Sequence, residues 1–424
     1  MKFACAAVLV LAATASLSAQ VDGHASAIVD VLPDVDELEG AQSVTELRMR
    51  LFAEWRHEFS PRLRINLAGY IDGLVADRQN FGVPGTSTDA IARPADLFVE
   101  LITARFDIRA GAARLVWGRL DEFQPTDVVN PLDLSRFLME GRSEARLPVG
   151  IVRARAFFTG ATTLEAVVVP HFRRGRFDQL DESSSPFNLT RSVIERVRDE
   201  PSAGTESLQG GLRLTSTTGR VDWSVSAYRG RRAFPISSLA ASADAQTFVI
   251  RESFPRFTMI GADFETVRGA WGIRGEIASF VEDELQSTRT VQGVAGHSLT
   301  AGVGVDRKAG DYRVAANALW SWSGVDASDP VGQGFAGDDE VERTDVSLVI
   351  AADRSFARET RTLRVFAVYD PADATTFTRV IGAVSLRDNV WVEGSGGLFT
   401  GASLDILGRL TRRDFVYARL KVFF

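Results

Sequence analysis

Cysteine is almost missing from this sequence, and the one residue, Cys5, lies among the first few positions. Disulfide bonds therefore cannot stabilise the folded chain. The four histidines are scattered without the spacing of metal ligands, so neither a metal site nor a cofactor is predicted. After the first twenty residues there is no run of about 18 apolar residues, which excludes a transmembrane helix.

Basic surface is also lacking. Lysine is almost absent, and 55 acidic residues outnumber 48 basic ones, which gives a net charge of −7. No basic stripe with interleaved aromatic residues occurs, so nucleic acid is not an expected partner. The fractions of charged (24%) and hydrophobic (45%) residues match an average soluble protein. The order of these residues along the chain indicates a different class of protein.

The first nineteen residues have the features of a cleavable signal peptide. Lys2 provides a positive charge, an almost continuous apolar stretch follows from Ala6 to Ala15, and Ser18 and Ala19 are small residues suited to cleavage. An N-terminal membrane anchor is the alternative, but the stretch is short for a membrane span. We therefore expect export, loss of residues 1–19 and a single mature domain over residues 20–424.

Apolar residues occupy every second position in many segments of the chain. Side chains alternate between the two faces of a strand, so this pattern predicts strands with one apolar and one polar face. Repeated segments of about ten residues with this alternation are typical of strands between lipid and water. The segment from Thr45 to Phe59 is one example, with apolar positions at Leu47, Met49, Leu51, Ala53 and Trp55.

Short and long connections alternate between the segments. Short turns are predicted near positions 60, 105, 161, 218, 268, 308, 357 and 388, and long polar loops at 77–94, 119–148, 171–206, 230–255, 281–297 and 323–342, followed by loops at 370–374 and 400–412. Seventeen strands follow from Thr45 onward, and the weak segment His24–Leu32 supplies a first one. The predicted fold is an all-β transmembrane antiparallel barrel of about 18 strands, with 16 as the alternative, short periplasmic turns and long extracellular loops.

The C-terminal residues resemble the closing strand of bacterial outer-membrane proteins. Val416, Ala418, Leu420 and Val422 alternate with polar residues, and Phe424 is the last residue. The resemblance implies that the barrel assembly machinery recognises this strand, through Tyr417, Val422 and Phe424. It also implies a Gram-negative outer membrane as the location and membrane lipid as a partner.

The polar face of the predicted strands would line an aqueous lumen rich in arginine and carboxylates. A barrel of this size leaves a channel unless something fills it. Arginine binds carboxylates on adjacent strands as well as anionic solutes, so a structural network and a transport lining both remain open. The predicted lining residues are Arg50, Glu100, Arg109, Arg153, Arg155, Arg213, Arg274, Glu276, Arg313, Arg364 and Arg379.

Residues 97–138 resemble the alginate-export type of porin-like barrel. The similarity lies in Glu100, Gly111, the run from Trp117 to Asp121 and the run from Gln124 to Asp133. It implies a channel for small or chain-like hydrophilic solutes. Turn-forming residues in 119–148 predict either a loop folded into the lumen as a constriction or a compact external loop. The constriction would contain Arg119, Asp121, Asp127, Asp133, Arg136 and Arg142.

An outer-membrane enzyme is the main alternative class of protein. A barrel hydrolase would need a nucleophile and a base together. His171 and the serines at 183–185 share one predicted loop, but the sequence has no nucleophile-elbow motif. We therefore expect no enzyme activity. A non-conducting barrel whose loops bind partners, and assembly into a homo-oligomer, remain alternatives.

Overall fold

The structure is a computed structural model, and it describes residues 20–37, 40–80, 83–158, 160–190, 192, 194–242, 247–287, 290–338, 341–401 and 407–424. The predicted signal peptide lies outside the described residues. None of the helices in these ranges is long and apolar enough to cross a membrane.

Eighteen antiparallel strands form one sheet that closes on itself, as the sequence predicted. The first strand pairs with both the second and the last, so the sheet is a barrel. The barrel strands are β1 (Gln20–Glu37), β2 (Gly40–Ser60), β3 (Leu63–Asn80), β4 (Val83–Ile102), β5 (Phe106–Ala113), β6 (Val149–Phe157), β7 (Thr162–Val169), β9 (Gln209–Thr218), β10 (Val221–Arg231), β13 (Arg256–Arg268), β14 (Trp271–Ser287), β15 (Gln292–Ala309), β16 (Tyr312–Val325), β17 (Thr344–Phe356), β18 (Arg361–Asp370), β19 (Thr375–Arg387), β20 (Val390–Thr400) and β21 (Phe415–Phe423).

Loops at one end of the barrel carry the remaining elements. The strands β8 (Arg196–Asp199), β11 (Ile236–Ala241) and β12 (Phe248–Ser253) form a small separate sheet. Two short helices, α1 (Leu134–Met139) and α2 (Arg142–Ala145), lie between β5 and β6, and α3 (Pro330–Gln333) lies between β16 and β17. A 3-10 turn, Gly408–Leu410, precedes β21.

The first strand extends beyond the predicted segment. His24–Leu32 lies inside β1, which pairs with β2 from Gln20↔Arg56 to Glu37↔Gly40. On its other edge β1 pairs with β21 from His24↔Phe423 to Val31↔Val416, and the backbone groups of Gly23 and Phe424 bond to each other. The C-terminal strand therefore closes the barrel.

Two of the predicted long loops are wrong. Residues 77–80 and 83–94 belong to β3 and β4, and most of the described part of 281–297 belongs to β14 and β15, because these strands continue to Asn80 and Ser287. Alternation disappears where a hairpin rises above the hydrocarbon layer, because water then reaches both faces of the strands and neither has to be apolar. These ranges are therefore polar because the strands extend above the membrane, and not because the strands end.

The outer surface of the barrel is apolar along its strands. Large apolar side chains on the strands, such as Ile71, Ile260 and Ile350, are exposed, whereas polar residues on the inward face, such as Asp72, Asp263 and Glu276, are buried. Trp271 lies beside a short turn, and Trp320 and Trp322 lie near the opposite end. Exposed apolar positions with aromatic residues at both ends form the outer belt of a membrane barrel.

Candidate functional site

Residues 114–148 leave the barrel wall after Ala113 at the end of β5 and rejoin it at Val149 in β6. We call this range the inner segment. Asn130 joins its two ends: the side-chain oxygen accepts from the Leu115 N–H (2.7 Å), and the amide nitrogen donates to the carbonyls of Ala113 (3.1 Å) and Leu147 (2.8 Å). One buried side chain thus holds both stems of the segment together.

Glu276, in the middle of β14, attaches the inner segment to the wall through several hydrogen bonds. Its carboxylate accepts hydrogen bonds from the backbone N–H groups of Arg119, Leu120 (2.6 Å) and Thr126 (3.3 Å), and from the Thr126 hydroxyl (3.0 Å). The side chain is buried. Hydrogen bonds to a charged group contribute about 1.5–3 kcal/mol each, so this residue alone holds residues 119–126 firmly.

Ion pairs extend this attachment along the same side of the barrel. The Arg119 guanidinium donates to Asp263 (2.6 Å) and Glu265 (3.2 Å) on β13, and Arg213 on β9 donates to the same Asp263 (2.8 Å). Asp121 accepts from Arg274 on β14 (3.3 Å) and from Arg313 on β16 (3.1 Å).

The inner segment also contacts the opposite side of the barrel. Four ion pairs reach strands there: Arg136 with Asp72 on β3 (3.2 Å), Glu144 with Arg50 on β2 (3.4 Å), Glu140 with Arg419 on β21 (2.7 Å) and Glu122 with Arg364 on β18 (2.6 Å). A fifth strand, β19, is reached by a hydrogen bond from Arg379 to the Leu138 carbonyl (2.7 Å). Strands on all sides of a closed barrel can be reached only through its interior. The inner segment therefore crosses the barrel.

Inward-facing glycines on the wall make room for this crossing. A side chain at Gly302 on β15 would meet the Leu120 side chain at 2.5 Å, and one at Gly304 would meet it at 2.9 Å. A side chain at Gly261 on β13 would meet Thr126 at 2.8 Å. These strands lack side chains where the inner segment packs against them, which is the use of strand glycines at a close approach.

Apolar residues also fill part of the interior, which the sequence did not predict. Leu138 and Met139 of α1 pack against inward-facing residues of β17–β21, among them Phe366, Phe377 and Phe415. A second cluster surrounds Leu115, Trp117 and Val129, on the inward faces of β5–β7, β10, β13 and β14. The crossing is therefore held by apolar packing as well as by charge.

Inside the inner segment, Asp127 organises three further groups. Its carboxylate accepts from Arg146 (2.7 Å), from Arg142 (3.1 Å) and from the backbone N–H of Trp117 (3.1 Å). Trp117 in turn donates its ring N–H to Glu165 on β7 (2.7 Å). Asp127 and Arg142 thus fix the shape of the segment rather than its attachment to the wall.

A separate charge ladder lines β4–β6. Glu100 accepts from Arg109 (2.8 Å) and Arg153 (3.2 Å), and Asp107 accepts from Arg153 (3.3 Å) and Arg155 (2.5 Å). Carboxylates and guanidiniums alternate across three neighbouring strands. Each arginine of the ladder is balanced by an acid on the next strand.

Asp133, in the inner segment, and Arg173, in the loop after β7, have shifted pKa values. Burial, together with the charge of Asp178, raises the pKa of Asp133 to about 7. Asp133 is the N-cap of α1, and it accepts from the Arg136 N–H (3.2 Å), the Ser135 hydroxyl (2.8 Å) and the Gln179 N–H (3.2 Å). Burial and the nearby guanidiniums of Arg93 and Arg176 lower the pKa of Arg173 to about 10, which leaves it charged at neutral pH.

Three carboxylates, Asp345, Asp370 and Asp373, lie close together near the loop end of β17–β19. Arg343 contacts two of them, Asp345 at 2.5 Å and Asp373. A guanidinium therefore already balances this cluster.

The structure divides the predicted site residues into groups. The residues that take part in contacts between the inner segment and the wall are Arg50, Arg119, Asp121, Arg136, Arg213, Arg274, Glu276, Arg313, Arg364 and Arg379. The residues whose contacts shape the inner segment itself are Asp127, Asp133 and Arg142. The residues of the separate charge ladder are Glu100, Arg109, Arg153 and Arg155. Tyr417 points inward and donates to Glu393 (2.7 Å), while Val422 pairs with Ala25. Arg146 and the role of Asn130 as a bridge between the two stems were missed, because their contacts join residues that are distant in the sequence.

A closed 18-stranded barrel with an apolar outer belt and a charged segment folded across its interior defines a porin-type outer-membrane β-barrel. The family model described as "Protein of unknown function (DUF1302)" matches residues 95–383 of the chain. The chain belongs to the DUF1302 family. No curated protein sequence matches it significantly.

Several solved structures have the same fold. OccAB3 from Acinetobacter baumannii is 6% identical, with a TM-score of 0.54 over 96% of this chain and 99% of that one. A BenF-like porin from Pseudomonas fluorescens Pf-5 is 10% identical, with a TM-score of 0.54 over 96% and 98%. OpdK from Pseudomonas aeruginosa, solved with vanillate, is 9% identical, with a TM-score of 0.50 over 96% and 98%. At these identities the likeness concerns the fold.

Proposed function

We propose that this protein is an outer-membrane channel that passes small hydrophilic solutes by diffusion through its charged lumen. The observation that carries the proposal is the inner segment, which crosses the barrel while leaving paired arginines and carboxylates along the wall. The barrel fold shared with a BenF-like porin and with OpdK supports it.

The inner segment would act as the constriction of this channel. Its attachments reach strands on opposite sides of the barrel, so any solute has to pass beside it. Arg119, Asp121 and Glu122 are charged side chains at its contacts with the wall. We infer that the width and charge of the pathway are set here, in a single domain formed by residues 20–424.

The solute preference of this channel has two predicted components. Arginine enrichment favours anions, but most of the described arginines on the wall contact carboxylates, which weakens that preference. The resemblance to alginate-export barrels suggests chain-like solutes, and this stays a prediction. Recognition of the C-terminal strand by the barrel assembly machinery stays a prediction as well, as does homo-oligomerisation.

The first test is conductance of the purified mature protein in planar bilayers. Stepwise currents are expected from a folded barrel, with folding checked by heat-modifiable mobility in SDS gels. A folded barrel without current would reject the channel and favour a surface-binding role for the loops.

The constriction is tested by replacing residues 122–143 with a short Gly-Ser linker. We expect a larger single-channel conductance, because the barrel wall stays closed while its lumen widens. Removal of residues 328–338, in the long loop between β16 and β17, is the matched control and should leave conductance unchanged. Equal conductance of the 122–143 variant and the unmodified protein would contradict the constriction.

We also propose that the barrel has no enzymatic role. His171 and the serines at 183–185 lie in the loop after β7, where Ser184 donates to Asp181 (2.5 Å). Among the described residues no histidine is hydrogen-bonded to a serine of that loop. An esterase screen of the folded protein beside a His171→Ala variant tests this point, and activity that depends on His171 would overturn it.

A further inference from the structure

A cavity of about 410 Å³ lies between the inner segment and the inward faces of β13–β15. Val128, Pro131 and Leu132 line it from the inner segment, and Phe257 and Phe280 line it from the wall. Phe234, from the loop after β10, completes the aromatic lining. We call this cavity the phenylalanine pocket.

The pocket lies on the loop side of the attachment at Glu276. Asp263 pairs with Glu276 across β13 and β14, and Met259 pairs with Phe280 further toward the long loops. Phe257 precedes Met259 on the same face of β13. A solute entering from the long-loop end would therefore meet the pocket before it reaches Glu276 and Arg119.

The aromatic lining suits a ring. The rings of Phe257 and Phe280 meet edge to face with centroids 5.4 Å apart, and Phe234 packs on Phe177 at 5.3 Å. Phe257 is buried, while Phe234 and Phe280 are only partly buried. Phenyl groups arranged in this way bind the edge or face of another ring, with a contribution beyond the area that is buried.

The charged groups of the pocket are already paired. Asp283 accepts from Arg232 (2.5 Å), Asp127 from Arg146 (2.7 Å), and Arg231 contacts Glu206 (2.5 Å). A charged solute would have to break one of these pairs, which leaves a partly buried charge without its partner. This arrangement disfavours charged occupants.

Uncharged hydrogen-bonding groups remain available beside the rings. Ser298 and Thr300 line the pocket from the inward face of β15. In the described part of the chain their hydroxyls have no hydrogen-bond partner. They can therefore bond hydroxyl or ether oxygens of a solute.

We propose that the phenylalanine pocket binds uncharged solutes that combine a ring with hydroxyl groups. The proposal rests on the proposed channel, and it specifies the solute class that the channel favours. A molecule with a phenyl ring and a sugar matches both halves of the lining. The ring would lie among Phe234, Phe257 and Phe280, and the hydroxyls would face Ser298 and Thr300.

Ligand-detected saturation-transfer NMR on the full mature barrel in nanodiscs tests this proposal without depending on conductance. The probes are phenyl β-D-glucopyranoside, methyl β-D-glucopyranoside, which lacks the aromatic ring, and benzoate, which carries a charge. We expect the phenyl glucoside to bind at least tenfold more tightly than either of the others. Tighter binding of benzoate, or equal binding of the two glucosides, would overturn the proposal.

Variants locate the site. Phe257→Ala and Phe280→Ala are expected to weaken phenyl glucoside binding at least fivefold. Phe264→Ala, on the lipid-facing side of β13, is the matched control and should bind normally. Unchanged binding in both pocket variants would place the site elsewhere. Current without ring binding would reject only the pocket, and ring binding without current would reject only the channel.

Discussion

At the residue scale, single side chains hold the crossing in place. Asn130 closes the stem of the inner segment, and Glu276 accepts four hydrogen bonds from residues 119–126. The strands around Glu276 are held by their own backbone ladder and do not need it. Its role is thus separable from folding of the barrel.

Glu276→Gln should loosen the crossing while the barrel stays folded. A glutamine has the same shape, but its NH₂ group cannot accept the hydrogen bonds that backbone N–H groups donate to the carboxylate oxygen. The loss weakens the attachment of the inner segment by roughly 1–3 kcal/mol. We expect higher or more variable single-channel conductance and faster hydrogen exchange at Leu120 and Thr126. Glu54→Gln is the control, because Glu54 is paired with Arg56 on its own strand. Unchanged exchange at Leu120 would show that other contacts hold the segment.

At the element scale, the sequence predicted strands well and their surroundings poorly. Period-2 alternation is a local property, so the barrel strands and the eight tight turns could be predicted from it. Where hairpins rise above lipid, the constraint on their faces ends, and the ranges 77–94 and 281–297 were mistaken for loops. The inward phenylalanines of β18–β21 were unexpected, because alternation cannot show what packs against an inward face.

The helix α1 should make the stability of the crossing depend on pH. The pKa of Asp133 is raised from 3.8 to about 7. Between these two pH values, the folded state still binds a proton that the unfolded state has released. The free energy of unfolding therefore falls as pH rises through this window, and the stabilisation is complete only at the acidic end. Asp133→Asn removes the proton and can still cap the helix.

The corresponding measurement is the unfolding temperature in detergent at pH 5 and pH 8. We expect the unmodified protein to lose more stability over this interval than Asp133→Asn, with about 2–4 °C for each kcal/mol. Asp89→Asn, on an exposed part of β4, controls for the loss of a carboxyl group. Parallel pH dependences of the unmodified protein and Asp133→Asn would exclude Asp133 as the source.

At the scale of the whole molecule, contacts between distant parts of the chain decide the site. Arg119 and Asp263 are 144 residues apart, and Glu140 and Arg419 are 279 apart. Alternation indicated that these side chains of the wall face inward, but it could not indicate which of them meet. Their pairing depends on how the barrel closes and on the path of the inner segment, and both are properties of the complete fold.

This pairing predicts a lumen with weak ion selectivity that single substitutions can shift either way. Glu100 balances Arg109 and Arg153, so Glu100→Gln should favour anions, and Arg109→Gln, which frees part of Glu100, should favour cations. At low ionic strength, where screening is small, we expect permeability ratios to change by about twofold or more. Reversal potentials in asymmetric KCl measure these permeability ratios directly.

Opposite shifts from two neighbouring residues would mean that the ladder lies along the ion pathway. Shifts in the same direction, or none, would mean that ions pass elsewhere and that the ladder only holds β4–β6 together.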